Sequence, residues 1–435
     1  MKMNLHGWGN FPSVETHPDY FETPSQLRQL LKNHGEIIVY GSGRSYSDSA
    51  LNERVIFSRR FESVLDFDPI QGIVTCESGV TLADLIEAYL PRGWFLQVTP
   101  GTKFITVGGA IASDVHGKNH HIAGCFSESV IALELMLPDG GIVRCSREIN
   151  RELFLATCGG MGLTGVILSA QIKFQPVSSA SIEETLIRGR NLEEIFSLFE
   201  IHSSAPYSVA WIDCLAKGEN TGRSVLMLGE HARRGMLTIP KIRPSISIPV
   251  FLPGGCLNRY SIKAFNNLYY ITKPPMGKKR LTPLTSFFYP LDAIGNWNRM
   301  YGKNGFTQYQ LVLPKASSQA GLNTILNRVS DAGLGSFLAV LKRFGPENGN
   351  YLSFPMEGYT LAMDFKIEKK LFPLLNELDA IVADHKGRLY LTKDVRMGKR
   401  MLAKGYPHLE KFKAMREDFH MNKKFQSLQS KRLGL

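Results

Sequence analysis

The sequence predicts an α+β protein of two domains, and three observations support this. Its 435 residues exceed one ordinary domain of roughly 150 residues. Hydrophobic residues make up 43% and charged residues 21%, a globular balance that excludes disorder and collagen. Near Pro176 the local patterns change from alternating strand and helix signals to mainly strand signals. We expect one domain over residues 5–178, completed by 388–435, and a second over 179–387 that contains an antiparallel sheet.

Short apolar runs and turn residues predict the elements of the first domain. Apolar residues from Leu82 onwards recur at helical spacing, and Pro-Asp-Gly-Gly at 138–141 is a strong hairpin turn. The predicted elements are strands over 37–40, 64–67, 72–76 and 165–172, a helix over 82–90, and a hairpin of 132–137 with 142–145.

Strand-like runs dominate the second domain, and two helical patterns accompany them. The strands are predicted over 207–214, 224–228, 308–313, 336–344 and 359–365, and the helices over 317–329 and 369–383. A further short strand and a basic helix follow Arg388.

Three glycine-rich loops in the first domain are the main chemical signal. They lie at 41–48, 100–121 and 159–165. The first follows a strand but has neither the Rossmann nor the Walker spacing, so alone it is also compatible with a plain turn. In such loops successive N–H groups converge on phosphate oxygens, and small residues allow a ligand to lie on the main chain. Together the three loops predict a long dinucleotide bound in an extended pose.

Three histidines within six residues, His116, His120 and His121, raise the alternative of a metal site. No cluster of cysteines or carboxylates at suitable spacing accompanies them, so we predict no metal. The six cysteines are scattered, which favours free thiols in a reducing compartment.

Residues 231–280 form a basic and partly apolar segment. The chain has 51 basic and 39 acidic residues, yet no acidic residue occurs between Glu230 and Asp292. Basic residues around the apolar stretch 246–255 fit an anionic lipid surface or a phosphate-bearing lipid. A solvated basic face is the alternative, and nucleic acid is not predicted because no recognisable nucleic-acid module is present.

The chain shows no apolar run near the roughly 20 residues of a membrane span. Its N-terminal residues lack the apolar core of a signal peptide. We therefore expect a soluble cytoplasmic protein. The basic and apolar segment 231–280 would let it lie peripherally at the inner membrane face.

The three loops, in this order, resemble the vanillyl-alcohol-oxidase-type (PCMH-type) FAD-binding fold. More narrowly, the sequence is similar to the family of decaprenylphosphoryl-β-D-ribose 2-oxidases, the flavoprotein subunits of the 2-epimerase. The resemblance spans nearly the whole chain, and its most specific motifs are His-Gly-Lys-Asn-His-His at 116–121 and Arg-Leu-Tyr-Leu-Thr-Lys-Asp at 388–394. It implies a two-domain FAD-binding fold in which the antiparallel sheet belongs to the substrate domain.

The resemblance also implies which residues bind FAD. Relatives that attach FAD covalently often have a histidine in the first loop, where this chain has Arg44, so we expect dissociable FAD and a structural role for Cys125. The cofactor-binding residues implied are Val39, Tyr40, Gly41, Ser42, Gly43, Arg44, Ser45, Tyr46, Ser47, Asp48, Ser49, Gly101, Thr106, Val107, Gly108, Gly109, Ser113, Asp114, Val115, His116, Val166, Ile167 and Tyr390.

The implied chemistry removes a hydride and a hydroxyl proton from a secondary alcohol carbon. Lysine on an apolar strand face needs an anionic partner or a cavity, and Lys342 stands out on this ground alone. The family's reactive cysteine corresponds to Ala362 here. The catalytic residues implied are Lys393, Tyr46 and His116, and the substrate-binding residues are Lys118, Trp211, Gln308, Gln310, Lys342, Thr360 and Lys393.

By this resemblance, the expected reaction oxidises the 2-hydroxyl of polyprenyl-phosphoryl-β-D-ribose to a 2-keto intermediate. A separate short-chain NAD(P)H reductase would then complete epimerisation to the arabinose donor. One alternative is a same-fold FAD oxidase of a free sugar, alditol or aldonolactone. Another is a non-enzymatic protein that binds a lipid phosphate and uses its glycine loops only structurally.

Overall fold

A computed structural model describes residues 2–238, 246–253, 255–275 and 277–435, with the main chain only at Lys278. Within these residues the chain forms three main sheets of four, six and eight strands and one two-stranded pair. The two strands of that pair are β14 (Ile246–Ser247) and β16 (Ile294–Gly295), which run parallel. This architecture confirms the predicted α+β class, whereas the predicted domain boundaries stay a prediction.

The first sheet has the order β1-β2-β4-β3. Its strands are β1 (Met3–His6), β2 (Ser13–Tyr20), β3 (Ile38–Tyr40) and β4 (Arg54–Phe57). The helix α1 (Pro24–Asn33) connects β2 to β3 and begins at a capping box, in which Thr23 Oγ1 accepts from Gln26 N at 3.2 Å. The first strand β1 is antiparallel to β2, and β4 pairs parallel with both β2 and β3. This sheet holds the first glycine loop at the end of β3.

The second sheet is antiparallel throughout, with the order β5-β6-β10-β8-β9 and β7 at the end of β10. Its strands are β5 (Val64–Asp68), β6 (Ile73–Glu77), β7 (Trp94–Leu96), β8 (Val130–Met136), β9 (Ile142–Ser146) and β10 (Val166–Pro176). The helices are α2 (Leu82–Tyr89), α3 (Val107–Ala112), α4 (His120–Ala123) and α5 (Arg151–Thr157).

The eight-stranded sheet is also antiparallel, in the order β15-β11-β13-β12-β18-β19-β17-β20. Its strands are β11 (Ser181–Gly189), β12 (Tyr207–Ile212), β13 (Ser224–His231), β15 (Lys278–Pro283), β17 (Phe306–Pro314), β18 (Ala339–Phe344), β19 (Gly358–Lys366) and β20 (Arg388–Leu389). The remaining helices are α6 (Leu192–Ile201), α7 (Arg259–Ile271), α8 (Leu284–Phe288), α9 (Lys315–Ala332), α10 (Leu371–Asp384), α11 (Lys399–Gly405), α12 (Leu409–Asp418) and α13 (Leu428–Leu433).

The two faces of this sheet have different coverings. On one face α6 packs against Tyr359, through Phe196 and Phe199. The next residue, Thr360, points to the other face because side chains alternate along a strand. That second face meets the glycine loops at one end and α7 at the other.

Two sequence predictions need correction. The strand predicted over 336–344 begins only at Ala339, because Ser336 Oγ accepts from Leu338 N at 3.1 Å and donates to Leu338 O at 2.9 Å. This local hydrogen bonding replaces the ladder contacts that a strand would make. The basic segment 231–280, for which the sequence predicts an apolar loop at 246–255 and no helix, also contains the 13-residue helix α7.

The C-terminal tail lies against the first sheet. Lys424 Nζ donates to Leu31 O at 2.8 Å and His34 O at 2.6 Å, and Ile37 pairs in parallel with Phe425. Within the described part of the chain, no helix is long and apolar enough to cross a membrane, and all six cysteines are free of disulfides.

One buried ion-pair cluster connects the tail to the first glycine loop. Arg432 donates from Nη2 to Asp48 Oδ1 at 2.8 Å and from Nη1 to Asp394 Oδ2 at 3.0 Å. We expect Arg432→Gln to lower the free energy of unfolding by about 3 kcal/mol, since it leaves two buried carboxylates without their cation. Urea denaturation at neutral pH measures this loss.

The pH dependence of that loss follows from Asp48. Burial raises the pKa of Asp48 and Arg432 opposes the rise, so the substitution raises the pKa further. The folded variant then binds more protons than the unfolded chain, so its stability falls as the pH rises. Its loss in free energy of unfolding should therefore be larger at pH 8 than at pH 5. The control is Lys431→Gln, which removes an exposed pair with Glu36 and should cost below about 1 kcal/mol. Equal losses in the two variants would contradict the prediction.

Candidate active site

The structure brings the three glycine-rich loops together around α3. The first loop touches the second so closely that a Cβ on Gly41 would lie 2.5 Å from Thr106 Oγ1. The third loop joins the end of α3, where Gly159 N donates to Ile111 O at 2.9 Å. Loops that are far apart in sequence therefore form one continuous surface of small residues.

The first loop provides free main-chain donors. The N–H groups of Ser42, Gly43 and Arg44 make no hydrogen bond to any other residue that the structure describes. Gly43 has φ +64°, and a Cβ there would lie 2.1 Å from Tyr40 Oη, so only glycine fits. The Arg44 side chain stacks on Trp8, with its guanidinium carbon 4.1 Å from the ring centroid. Three free N–H groups on a half-buried turn fit the phosphate oxygens of a dinucleotide.

The serines that follow are used inside the protein. Ser45 Oγ and Ser47 Oγ lie 2.8 Å apart, and Ser47 Oγ donates to Ser49 Oγ at 2.8 Å. Tyr40 Oη donates to His6 O at 2.8 Å, and Val39 belongs to β3. These contacts fix the shape of the first loop.

At residues 107–109 the second loop offers small side chains, and the main-chain donors there are already used. The N–H groups of Val107 and Gly108 donate to Val80 O and Ser78 O, and that of Gly109 donates to the cap oxygen of Thr106. Gly101 is exposed, and a Cβ there would meet nothing within 4 Å. These small residues leave room for a flat ligand to approach the main chain closely.

His116 carries an unpartnered buried nitrogen. Gln310 Nε2 donates to His116 Nε2 at 3.1 Å and to Thr360 Oγ1 at 3.2 Å, so the neutral ring has its hydrogen on Nδ1. Burial, with added repulsion from Lys342, lowers the pKa of His116 well below its usual value. Nδ1 is buried without a partner among the described residues, which leaves one donor for a ligand.

Asp114 holds the turn that precedes His116. Its carboxylate accepts from Ser127 N at 3.1 Å, Asn350 Nδ2 at 2.8 Å and Ser353 Oγ at 2.7 Å, and its φ is +39°. The predicted cofactor residue Asp114 thus has its side chain engaged within the protein. Nearby, burial raises the pKa of the Cys125 thiol well above its usual value, which makes Cys125 a poor nucleophile.

Lys393 lies over the ring of Tyr46, with its ammonium 3.6 Å from the ring centroid. The two segments are joined at Thr392 O, which accepts from Tyr46 N at 3.1 Å and from Ser45 Oγ at 2.9 Å. Tyr390 is held by its Oη donating to Ser113 O at 2.9 Å. The first loop therefore positions the C-terminal motif that carries Lys393.

Asp364 is a site residue that was not predicted from the sequence, and its buried carboxylate acts electrostatically on Lys393. Burial raises the pKa of Asp364, while Gln308 Nε2 donates to its Oδ1 at 2.6 Å and Tyr301 Oη approaches Oδ2 at 3.5 Å. Burial lowers the pKa of Lys393, and the charge of Asp364 opposes this shift. The sequence pattern that could have identified Asp364 is its position on β19. It lies two residues after Ala362 and four after Thr360, on the same face of the strand.

The face of the eight-stranded sheet collects further polar groups. Gln310 on β17 pairs with Ala362 on β19, and Thr360 on β19 pairs with Lys342 on β18. Paired residues point to the same face, so these side chains are neighbours of His116. Burial lowers the pKa of Lys342 to about 8.

Lys118 adds a further cation on the same side. Burial, with repulsion from Lys342, lowers its pKa to about 7, and its ammonium donates to Phe287 O. Lys342 thus repels both Lys118 and Lys393, and burial destabilises the charged form of all three lysines. Such a site favours an anionic ligand and stabilises negative charge that develops during a reaction.

Some predicted site residues lie elsewhere or are engaged in packing. Trp211 packs on Tyr269 of α7 at 4.7 Å between ring centroids, and its Nε1 donates to Phe337 O at 3.0 Å. Val166 and Ile167 pair with β8 at the start of β10. Val115 is buried next to the His116 turn. Within the described ranges, no three histidine, cysteine or carboxylate side chains form a group able to hold a metal ion.

Several matches with known proteins cover only part of this chain. A family model described as an FAD binding domain matches residues 22–146, which include the first two loops. L-gulonolactone oxidase of Scyliorhinus torazame is 29% identical over 42% of this chain and 43% of its own length. D-lactate dehydrogenase of Anaerostipes hadrus is 28% identical over 44% of this chain and 39% of its own length.

A further relative matches almost end to end. Decaprenylphosphoryl-β-D-ribose oxidase of Mycolicibacterium smegmatis is 35% identical over 99% of this chain and 97% of its own length. That extent includes the eight-stranded sheet and the C-terminal motif as well as the glycine loops. The chain therefore belongs to the decaprenylphosphoryl-β-D-ribose oxidase family of FAD-dependent oxidoreductases.

Proposed function

We propose that this protein uses dissociable FAD to oxidise the 2-hydroxyl of polyprenyl-phosphoryl-β-D-ribose to the 2-keto sugar. The position of Lys393 supports the proposal most directly. Its ammonium is fixed over Tyr46 of the cofactor loop and interacts electrostatically with Asp364 of the sheet. A sugar bound between the loop and the sheet meets this lysine.

FAD fits the chain's own residues, and when bound it supplies the acceptor for the hydride that leaves the sugar carbon. The three free N–H groups at 42–44 would hold its phosphates, and the surface at 106–109 would contact its flat portion. The buried thiol of Cys125 and the presence of Arg44 in the first loop support a non-covalent cofactor.

The hydroxyl proton needs an acceptor at the same time as the hydride leaves. Lys393 suits this task because burial lowers its pKa towards the working range, so a neutral fraction is present. Once protonated, its charge offsets the negative charge that hydride transfer creates beside it. Tyr46 lies against this lysine, and Gln308 holds the carboxylate of Asp364, whose charge acts on the lysine.

The sugar phosphate is assigned to the cations on the sheet face. Lys342 and Lys118 have no partner carboxylate within hydrogen-bonding distance among the described residues. A phosphate between them relieves the cost of burying their charges and raises both pKa values. Gln310, Thr360 and His116 Nδ1 then remain for the sugar hydroxyls.

We further propose that a short-chain NAD(P)H reductase takes the 2-keto product, and that the protein works as a peripheral protein at the inner membrane face. The membrane contact was predicted for residues 231–280, of which 239–245, 254 and 276 and the Lys278 side chain lie outside the described residues. The exposed basic residue Lys279 on β15 supports it.

Anaerobic bleaching of bound flavin tests the function. Synthetic polyprenyl-phosphoryl-ribose should bleach the flavin, whereas ribose and xylitol should not. Lys393→Met should slow bleaching by about 10²-fold or more while flavin stays bound, since the proton acceptor is lost. Lys404→Met, an exposed lysine of the same tail, should match the unmodified protein.

Other outcomes of this experiment identify the alternatives. Bleaching by free sugars, alditols or aldonolactones without a lipid phosphate indicates the same-fold oxidase. A colourless protein that fails to take up FAD but binds a polyprenyl phosphate indicates the non-enzymatic binding protein. Unchanged bleaching by Lys393→Met contradicts the role of the lysine.

Asp364→Asn tests the proton acceptor through its pH dependence. Asp364 raises the pKa of Lys393, whereas burial and Lys342 lower it, so removing the carboxylate charge lowers the pKa further. The acid limb of the kcat/KM profile should therefore move to lower pH. The exposed Asp331→Asn should leave the profile in place, and an unmoved limb in Asp364→Asn would show that this carboxylate does not control the acceptor.

Product trapping tests the step assigned to the reductase. Incubation of the flavoprotein alone, followed by borodeuteride, should give lipid-linked pentose carrying one deuterium at C2 as both epimers. Addition of a short-chain reductase with NADH should give the arabinose epimer without borodeuteride. Formation of that epimer by the flavoprotein alone would contradict the division of labour.

A further inference from the structure

The helix α7 covers the site face of the large sheet on its inner side. Its first turn is capped by Asn258 Oδ1, which accepts from Tyr260 N at 2.8 Å and Ser261 N at 3.1 Å. On the inner side Asn266 Nδ2 donates to Asp213 Oδ1 at 2.8 Å. Tyr269 packs on Trp211, so tertiary contacts hold this helix in place.

The outer side of α7 is apolar, and none of the residues that the structure describes covers it. Tyr260 is 81% exposed, Leu268 59%, Ile271 56% and Phe265 45%. The first three share one side with Ala264, since residues four, eight and eleven positions apart lie along the same stripe of a helix. Large apolar side chains are normally exposed singly, so four of them on one 13-residue helix indicate an interaction surface.

Positive charge borders this apolar stripe. Arg259 and Lys263 are exposed on the adjoining side, and Lys273 follows the helix with its ammonium 4.5 Å from the Tyr269 ring centroid. No acidic residue occurs in the sequence from 231 to 291. A cavity of about 350 Å³ at this end of α7 is lined by Leu186, Thr272, Lys273, Pro274 and Arg280. An apolar stripe bordered by the cations of its own segment is complementary to an anionic lipid surface.

We propose that α7 lies in the plane of an anionic bilayer, with Tyr260, Leu268 and Ile271 in the boundary between headgroups and acyl chains. Arg259 and Lys263 then face the lipid phosphates. This inference rests on the proposed function, because α7 would be the surface through which the enzyme reaches a lipid-linked substrate.

The sheet register connects this surface to the site. Trp211, which contacts α7, pairs with Val340, and Val340 pairs with Ala362, which in turn pairs with Gln310. Three steps between neighbouring strands amount to ~14 Å. The helix itself adds about 10 Å between Trp211 and the outer stripe. A lipid-linked sugar whose tail stays in a bilayer at α7 therefore has to span both distances to reach the site.

Vesicle co-sedimentation of the FAD-loaded protein tests the docking surface. Vesicles with phosphatidylglycerol should bind the protein, binding should weaken with salt, and pure phosphatidylcholine should bind it poorly. The double variant Leu268→Glu/Ile271→Glu should bind at least tenfold more weakly. The control is Ile201→Glu, at a residue 71% exposed on α6 beyond the opposite face of the sheet, and it should bind like the unmodified protein.

A second variant avoids placing charge on the apolar stripe. Arg259→Gln/Lys263→Gln should weaken binding to phosphatidylglycerol vesicles and flatten its salt dependence. Retained flavin absorbance and an unchanged thermal midpoint show that both variants fold. With vesicle-embedded substrate their KM should rise, whereas kcat on a short-chain soluble analogue should not change.

Three results would overturn the inference. They are equal binding to neutral and anionic vesicles, unaltered binding of both variants, and a dimer in solution that the Leu268→Glu/Ile271→Glu variant dissociates without any vesicle binding. Failure of the proposed function has a different signature. The lipid-linked ribose would then leave the flavin oxidised, while vesicle binding and its loss in the variants would persist.

Discussion

The burial of Lys118, Lys342 and Lys393 on one side of the large sheet is the constraint on which the site depends. The opposing charges that act on them come from Glu184, which already pairs with Arg280, and from Asp364. Burial without full compensation destabilises the ammonium form of each lysine. A protein tolerates this arrangement where an anionic ligand supplies the missing charge, and both the dinucleotide cofactor and the sugar phosphate are anions.

The fold meets this requirement by joining segments that are distant in sequence. The carbonyl of Thr392 links the C-terminal motif to the first glycine loop, and Arg432 ties the same two regions through Asp48 and Asp394. Lys342 belongs to the sheet, so the three lysines reach the site from different parts of the chain. This explains why a stable tail and a correctly shaped first loop are conditions for the site chemistry.

Local patterns predicted much of this protein because they depend on neighbouring residues. The turn at 138–141 and the helix from Leu82 were confirmed, and the glycine loops lie together as the extended-ligand hypothesis requires. Patterns did not reveal α7, whose outer stripe is apolar and whose inner side depends on contact with Trp211. They also missed the short Ser336 turn, in which a side-chain oxygen replaces the strand ladder.

Composition and short-range spacing were sufficient to predict the fold class, the order of the glycine loops and the excess of positive charge. Which charges lie close together depends instead on how distant segments pack. The pairing of Gln308 with Asp364 and the stacking of Lys393 on Tyr46 join residues tens to hundreds of positions apart. The direction of each pKa shift depends on burial and on such neighbours, and neither can be read from a linear pattern.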